Sequence, residues 1–223
     1  MSGLPRALFI TGTDTAVGKT FFARRLVRFL VGRKFRVGVF KPIETGLCES
    51  RVSDGETLMK AARSELPISW VSPYRFLSPA APRIAATLER KSIRPALIER
   101  RFRQIADSHD WTVVEGAGGL MVPLLRRTDM ADLIGFLELP VLLVSVYRLG
   151  MINQTLLSVH YAKSRGLNIL GVILNRKPPF RPERFDRFDR EIISEAAGCP
   201  VFHFNDRGTE KEKRRFWSQL TGI

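Results

Sequence analysis

An apolar run, Ala7-Leu8-Phe9-Ile10, delivers the chain straight into Gly12-Thr13-Asp14-Thr15-Ala16-Val17-Gly18-Lys19-Thr20, after which Phe22, Leu26, Phe29 and Leu30 recur at helical spacing. A strand, a tight glycine-bearing turn and a helix, in that order, leave few folds open. The turn is also chemically specific. A nucleoside triphosphate needs a backbone that wraps an anion closely, a lysine that reaches its outer phosphates, and a hydroxyl for its magnesium ion at the mouth of a helix. Gly18, Lys19 and Thr20 supply these in order. A strict phosphate-loop spacing places its first glycine where this chain has Thr13, so Gly12 makes the loop one residue longer. A bare Gly-Lys-Thr also fits an ordinary turn with an exposed lysine; the strand before it and the helix after it give the motif its mechanical meaning.

Apolar runs of strand length recur at 8–11, 37–40, 111–114, 141–146, 169–174 and 201–204, with helical periodicity between them. Strands that are apolar on both faces and alternate with helices predict an α/β fold, a mostly parallel sheet covered by helices on both faces. Such sheets gather ligands at the carboxyl ends of their strands. The polar clusters begin where the runs stop: the loop after the first, Lys41-Pro42-Ile43-Glu44-Thr45-Gly46 after the second, Glu115-Gly116-Ala117-Gly118-Gly119 after the third. All three therefore fall on one edge. The Pro- and Ser-rich stretch 64–81 reads as an irregular excursion before a helix around 85–88, with Trp70, Val71, Tyr74 and Phe76 requiring burial.

At 223 residues the chain is expected to form one domain, 1–223, with a substantial core. No apolar segment approaches the length of a bilayer span, and the run from Met1 to Arg6 leaves no room for a signal peptide, so a cytoplasmic protein is expected. Cys48 and Cys199 lack the spacing of a metal site or a disulfide framework. His109, His160 and His203 are scattered and are given no catalytic role. A net charge of +14 attracts polyanions, which brings nucleic acid into consideration. The basic residues are spread over many segments, however, and in the stretch 183–190 acids offset much of the charge, which suits a salt-bridged helix better than a nucleic-acid platform.

Taken together, the clusters resemble the dethiobiotin synthetase family, built on the P-loop NTPase fold. The resemblance is carried by Thr11-Gly12-Thr13-Asp14-Thr15 with Val17-Gly18-Lys19-Thr20, Lys41-Pro42 with Thr45-Gly46, Ser53-Asp54, Glu115-Gly116-Ala117-Gly118-Gly119, Arg148-Leu149-Gly150 with Ile152-Asn153, and the stretch 171–175. The lengthened loop is itself a property of that family. The resemblance implies an ATP-dependent cyclo-ligase that takes 7,8-diaminononanoate (diaminopelargonate) and carbon dioxide to dethiobiotin, ADP and phosphate, through a carbamate that is phosphorylated and then attacked by the second amine. It implies ATP held by Ala16, Val17, Gly18, Lys19, Thr20 and Phe21, by Glu115, Gly116, Ala117 and Gly118, and by Asn175, Arg176 and Asn205 near the base. Lys19 and Lys41 would be catalytic, and Thr15, Lys41 and Thr45 would meet the carbamate end of the diamine. Gly150 and Asn153 of a second subunit would meet its carboxylate, making the protein a homodimer. Mg2+ would be held by Thr20, Asp54 and Glu115.

Residue chemistry runs beside these roles. Glu115, straight after the run 111–114, reads as a strand-end carboxylate, while Asp54 also reads as the N-cap of a helix carrying Leu58 and Met59. Lys41 alternatively reads as a surface lysine before Pro42. Three features depart from the family: Ala16 stands where many members carry an acidic residue, Arg83 stands where a histidine is common, and Cys199-Pro200-Val201-Phe202-His203-Phe204-Asn205-Asp206 lacks a glycine-x-isoleucine-proline signature. Nucleotide choice is left open by the last of these. A partition or septum-placement switch ATPase would suit the charge, but the loop offers Thr13, Asp14 and Thr15 where those proteins carry an early lysine. Ligases of the cobyrinic-acid type usually carry a glutaminase domain for which there is no room. A divergent paralogue retaining only nucleotide binding is the remaining alternative.

Overall fold

The computed structural model describes residues 6–48, 52–176, 186–205 and 207–222. Strand β1 (Ala7–Gly12) leads to α1 (Lys19–Gly32), β2 (Val37–Phe40), β3 (Ile43–Glu44), α2 (Asp54–Ala62), α3 (Ile68–Val71), β4 (Tyr74–Arg75), α4 (Pro82–Leu88) and α5 (Pro95–Asp107). There follow β5 (Trp111–Gly119), β6 (Pro123–Leu125), β7 (Thr128–Asp129), α6 (Met130–Phe136), β8 (Val141–Val146) and α7 (Met151–Ser164), then β9 (Ile169–Asn175), α8 (Asp186–Ala197), β10 (Val201–Phe204) and α9 (Glu210–Thr221). Among the described residues six strands pair in the order β10-β9-β8-β1-β5-β2, every pair parallel. The expected parallel sheet with helices on both faces is therefore present.

Alternation along each strand explains the layers. In β1, Leu8 and Ile10 join one core with Phe22, Leu26 and Leu30 of α1, Leu58 of α2 and Trp217 of α9. Phe9 between them points to the other face, among Ile98, Phe102 and Ile105 of α5 and Met130 of α6. Since neither face meets water, the strands read as continuous apolar runs. The chain builds β2 and β5 on one side of β1, then crosses to β8, β9 and β10 on the other. The loop after β1 thus opens at the point where the strand order reverses, beside which such sheets bind ligands.

Three expectations need correction. The stretch 64–81 is more regular than its composition suggests, because α3 and β4 form within it and β4 pairs in parallel with β3. Val71, Tyr74 and Phe76 are buried there, whereas Trp70 stays half-exposed with the Arg101 guanidinium 4.2 Å from its ring centroid. Glu115 is not at a strand end: β5 continues to Gly119, because Gly12 of β1 pairs with Gly119 across an irregularity that follows the Ile10–Glu115 pair. Asp54 is not an N-cap; Ser53 caps α2, its hydroxyl accepting the Glu56 N–H at 3.0 Å. The charged stretch 183–190 lies partly outside the described residues, which resume with α8.

The helix behind the nucleotide loop is anchored by aromatic packing. Phe22 is fully buried, its ring centroid 5.2 Å from Phe204 in a T-shaped contact and 5.7 Å from Trp217. Phe22→Ala should lower unfolding free energy by about 3–5 kcal/mol. Urea denaturation checks this, and a change below about 1 kcal/mol would show that α1 does not depend on this core.

Candidate active site

The loop after β1 is shaped by two left-handed residues, Ala16 at φ 56° and Gly18 at φ 98°. Such alternation turns successive backbone N–H groups toward one concavity, an anion-binding nest. Gly18 also caps α1 without a side-chain hydrogen bond, leaving the first-turn N–H groups aimed at the cleft. A Cβ on Gly18 would collide with Asn175 Nδ2, and that amide nitrogen donates to Val17 O at 2.9 Å. Asn175, at the end of β9, therefore pins the loop from across the sheet. Lys19 folds over the loop and donates to Asp14 O at 2.7 Å. Burial lowers its pKa to about 8; repulsion from Lys41 adds to this, and Glu115, Asp54 and Asp14 oppose it.

Beyond the end of β2, Lys41 is 3% exposed, which excludes the surface-lysine alternative. Its ammonium donates to Glu115 Oε1 at 2.7 Å and Gly116 O at 3.0 Å, and Asp54 Oδ2 lies 3.1 Å away. Burial pushes the Lys41 pKa down, but the neighbouring charges of Glu115 and Asp54 outweigh it and hold the pKa above the ordinary lysine value. Asp54 is likewise subject to an upward push from burial, which the Lys41 charge and the Thr20 hydroxyl outweigh, keeping its carboxyl low. Burial pushes Glu115 up, against the pull of Lys41.

Thr20 donates to Glu115 Oε1 at 2.7 Å, so a hydroxyl and two carboxylates converge beside the loop. Glu115 Oε2 is buried and has no hydrogen-bond partner among the described residues. Burying such an oxygen is costly unless something binds it. A hard cation that takes oxygen ligands fits this donor set.

These groups line a cleft of about 680 Å3 together with Thr15, Ala16, Phe21, Thr45, Ala117, Gly118 and Arg176. Most of the residues singled out from sequence thus come together. Others do not line it. Val17 is packed behind the loop, and Gly116 is small because a Cβ there would meet Phe9 Cε1 at 2.7 Å. Asn205 lies in an adjoining hollow that shares Arg176 with the cleft; Arg176 meets His203 and sits 5.8 Å over the Tyr147 ring. Gly150 and Asn153 are exposed at the start of α7, outside the cleft, beside the fully exposed Leu149. Conversely, Ile43, Glu44 and Arg207 line the cleft although no role for them was expected from the sequence. Glu44 carried a signal, its place inside the Lys41-to-Gly46 cluster; Arg207 carried none.

A parallel sheet with a lysine-bearing anion loop after its central strand defines a P-loop nucleotide-binding protein. The solved structure of the signal recognition particle 54 kDa protein from Aeropyrum pernix K1 in complex with GDP superposes with a TM-score of 0.56 at 15% identity, covering 98% of this chain but 46% of that one. That likeness is one of fold. A family model described as AAA domain matches residues 6–203. The ATP-dependent dethiobiotin synthetase BioD of Anaeromyxobacter dehalogenans (strain 2CP-C) is 42% identical over 174 residues, 78% of each chain. That of Bacillus subtilis (strain 168) is 35% identical over 197 residues, 88% of this chain and 85% of the relative. That of Methanococcus vannielii is 35% identical over 187 residues, 80% and 85% of the two chains. The chain belongs to the dethiobiotin synthetase family.

The Lys19 environment sets a pH dependence. A bound triphosphate favours the ammonium, so nucleotide affinity should be full below about pH 8 and decline above it, as binding must then recover a proton. Calorimetric titration with ATP at pH 9, in buffers of different ionisation heat, should report proton uptake that Lys19→Met abolishes. Flat affinity from pH 7 to 9.5 would contradict this.

Proposed function

We propose that this chain closes the ureido ring of dethiobiotin from 7,8-diaminononanoate, carbon dioxide and ATP, releasing ADP and phosphate. The observation carrying this reading is the buried Lys41–Glu115 pair, with the half-exposed Asp54 carboxylate against it, next to the phosphate loop in a member of this family. One amine of the diamine adds to carbon dioxide and loses a proton, giving a carbamate. A carbamate oxygen then attacks the γ-phosphorus as the bond to ADP breaks, and the second amine attacks the carbamate carbon, loses a proton and expels phosphate. Each step crowds anionic oxygens together, so the protein's task is to present cations and aligned N–H groups in a site that excludes water.

In this reading the nest from Ala16 to Thr20 holds the triphosphate, with Lys19 on its outer phosphates. Lys41, held charged by its carboxylates, faces the transferring phosphoryl group and the carbamate. Thr15 and Thr45, on the cleft wall, offer hydroxyls to the carbamate end. Thr20, Asp54 and Glu115 would hold Mg2+, which when bound neutralises charge on the phosphates. Phe21, Glu115, Ala117, Gly118, Asn175 and Arg176, on the cleft wall, would border the nucleotide, joined by Gly116 and Asn205 from outside that wall. Because the Asn175 amide nitrogen is spent on Val17, its oxygen and second N–H remain for a base.

The reading also makes the chain a single catalytic domain acting in the cytoplasm as a homodimer, in which Gly150 and Asn153 serve the diamine carboxylate in the partner's cleft. Exposure of Leu149 beside them supports that arrangement. Among the described residues no helix is long and apolar enough to cross a membrane. The switch-ATPase alternative loses ground to the relatives, and nucleic acid is no part of the proposed reaction.

ADP release with magnesium and bicarbonate should depend on the diamine; release indifferent to the diamine yet raised by DNA would sink the proposal. Lys41→Gln, which keeps a hydrogen-bond donor beside Glu115, should cut kcat by about 10²–10³-fold with ATP affinity little changed. Equal losses in rate and affinity would make Lys41 a binding residue instead.

A further inference from the structure

Glu44, which the proposed reaction leaves idle, is 4% exposed and lines the cleft. Its Oε1 accepts the backbone N–H of Asp54, and that of Gly55 at 3.4 Å. Its Oε2 accepts the Ser72 hydroxyl at 3.4 Å and lies 3.8 Å from Arg75 Nε. The carboxylate is thus braced by the end of α3 and by β4 while it grips the first two residues of α2.

Those two N–H groups are orphans that every helix N-terminus must satisfy, and an anion suits them. Ser53 already serves the third-position amide, so Glu44 adds an anchor rather than duplicating the cap. Gly55 permits the close approach: a Cβ there would lie 3.2 Å from Ile68 Cδ1 and from Ser72 Cβ, and 3.5 Å from Glu44 Oε2. The Asp54 side chain is 42% exposed and is held by the Lys41 ammonium and the Thr20 hydroxyl rather than by packing. Its aim at Lys41, 3.1 Å away, depends on where the backbone of α2 begins.

We propose that Glu44 is a positioning residue: by holding the Asp54 and Gly55 amides it fixes the first turn of α2, and with it the Asp54 carboxylate beside Thr20, Lys41 and Glu115. The inference rests on the reading of Asp54 as a magnesium-side residue. A group that orients a metal-side carboxylate tunes how much metal the site requires, and its loss typically costs 10–100-fold in metal affinity.

The test measures the magnesium concentration that half-saturates binding of a non-hydrolysable ATP analogue to the full chain, alongside magnesium-free affinity and melting temperature. Glu44→Ala should raise the magnesium midpoint about tenfold while leaving magnesium-free affinity within about twofold. Glu44→Gln, which retains an acceptor oxygen for both amides, should stay near wild type. Glu44→Asp, which withdraws the carboxylate by one methylene, should fall between and serves if the alanine variant does not fold. In an Asp54→Asn background Glu44→Ala should add no further shift. An unchanged midpoint in Glu44→Ala or Glu44→Asp, with only the melting temperature lowered, overturns the inference, as does a full additional shift on top of Asp54→Asn. If Asp54→Asn alone leaves the midpoint unmoved, the magnesium-side reading of Asp54 has failed and the inference falls with it.

Discussion

One ammonium group, that of Lys41, is buried between two carboxylates, and three separate elements meet around it. Lys41 follows β2, Glu115 comes from the middle of β5 and Asp54 from the start of α2. Taking such ions out of water costs several kcal/mol each, and the attraction between them returns that only when geometry and hydrogen bonds are good. Well-packed apolar side chains would commonly stabilise a fold as well or better. The cluster is therefore poorly explained as a stabilising device. Its position beside an anion-binding loop gives it a chemical purpose, since a charge kept in place before reaction need not be reorganised during it.

The loop itself shows the same prior arrangement. Its curvature depends on Ala16 and Gly18 at positive φ, and its back is held by Asn175, a residue 158 positions away from Val17 in sequence. Ala16 makes the backbone turn with only a methyl side chain, so the nest needs no acidic side chain at that position. Lys19 lies beside the same cluster, its pKa lowered by burial first and by repulsion from Lys41 second, and the charge of a triphosphate would offset both.

Much of this was readable in the sequence, for identifiable reasons. Strands buried on both faces leave uninterrupted apolar runs, so five of the six paired strands are legible to within about a residue at each end, whereas β5 runs on from 114 to Gly119. Contiguous clusters at strand ends announced Lys19, Thr20 and Lys41. What escaped depends on contacts that no local pattern encodes. Glu115 reads as terminal because glycines follow it, yet pairing with β1 extends the strand through them. Asp54 reads as a cap because Asp is good at capping, yet Ser53 one residue earlier takes that role and frees the carboxylate for Lys41. The grip of Glu44 on α2, and the approach of Arg207 to the cleft, exist only once distant segments are brought together.

The claim at the centre is that the Lys41 cluster and the phosphate loop join carbon dioxide to a diamine rather than merely hydrolysing a nucleotide. Incubation of the protein with ATP, magnesium, 7,8-diaminononanoate and 13C-bicarbonate, followed by mass spectrometry of the products, tests it most directly. One 13C atom should appear in the ureido carbonyl of dethiobiotin for each ADP formed. ADP accumulating without labelled ring product would contradict it.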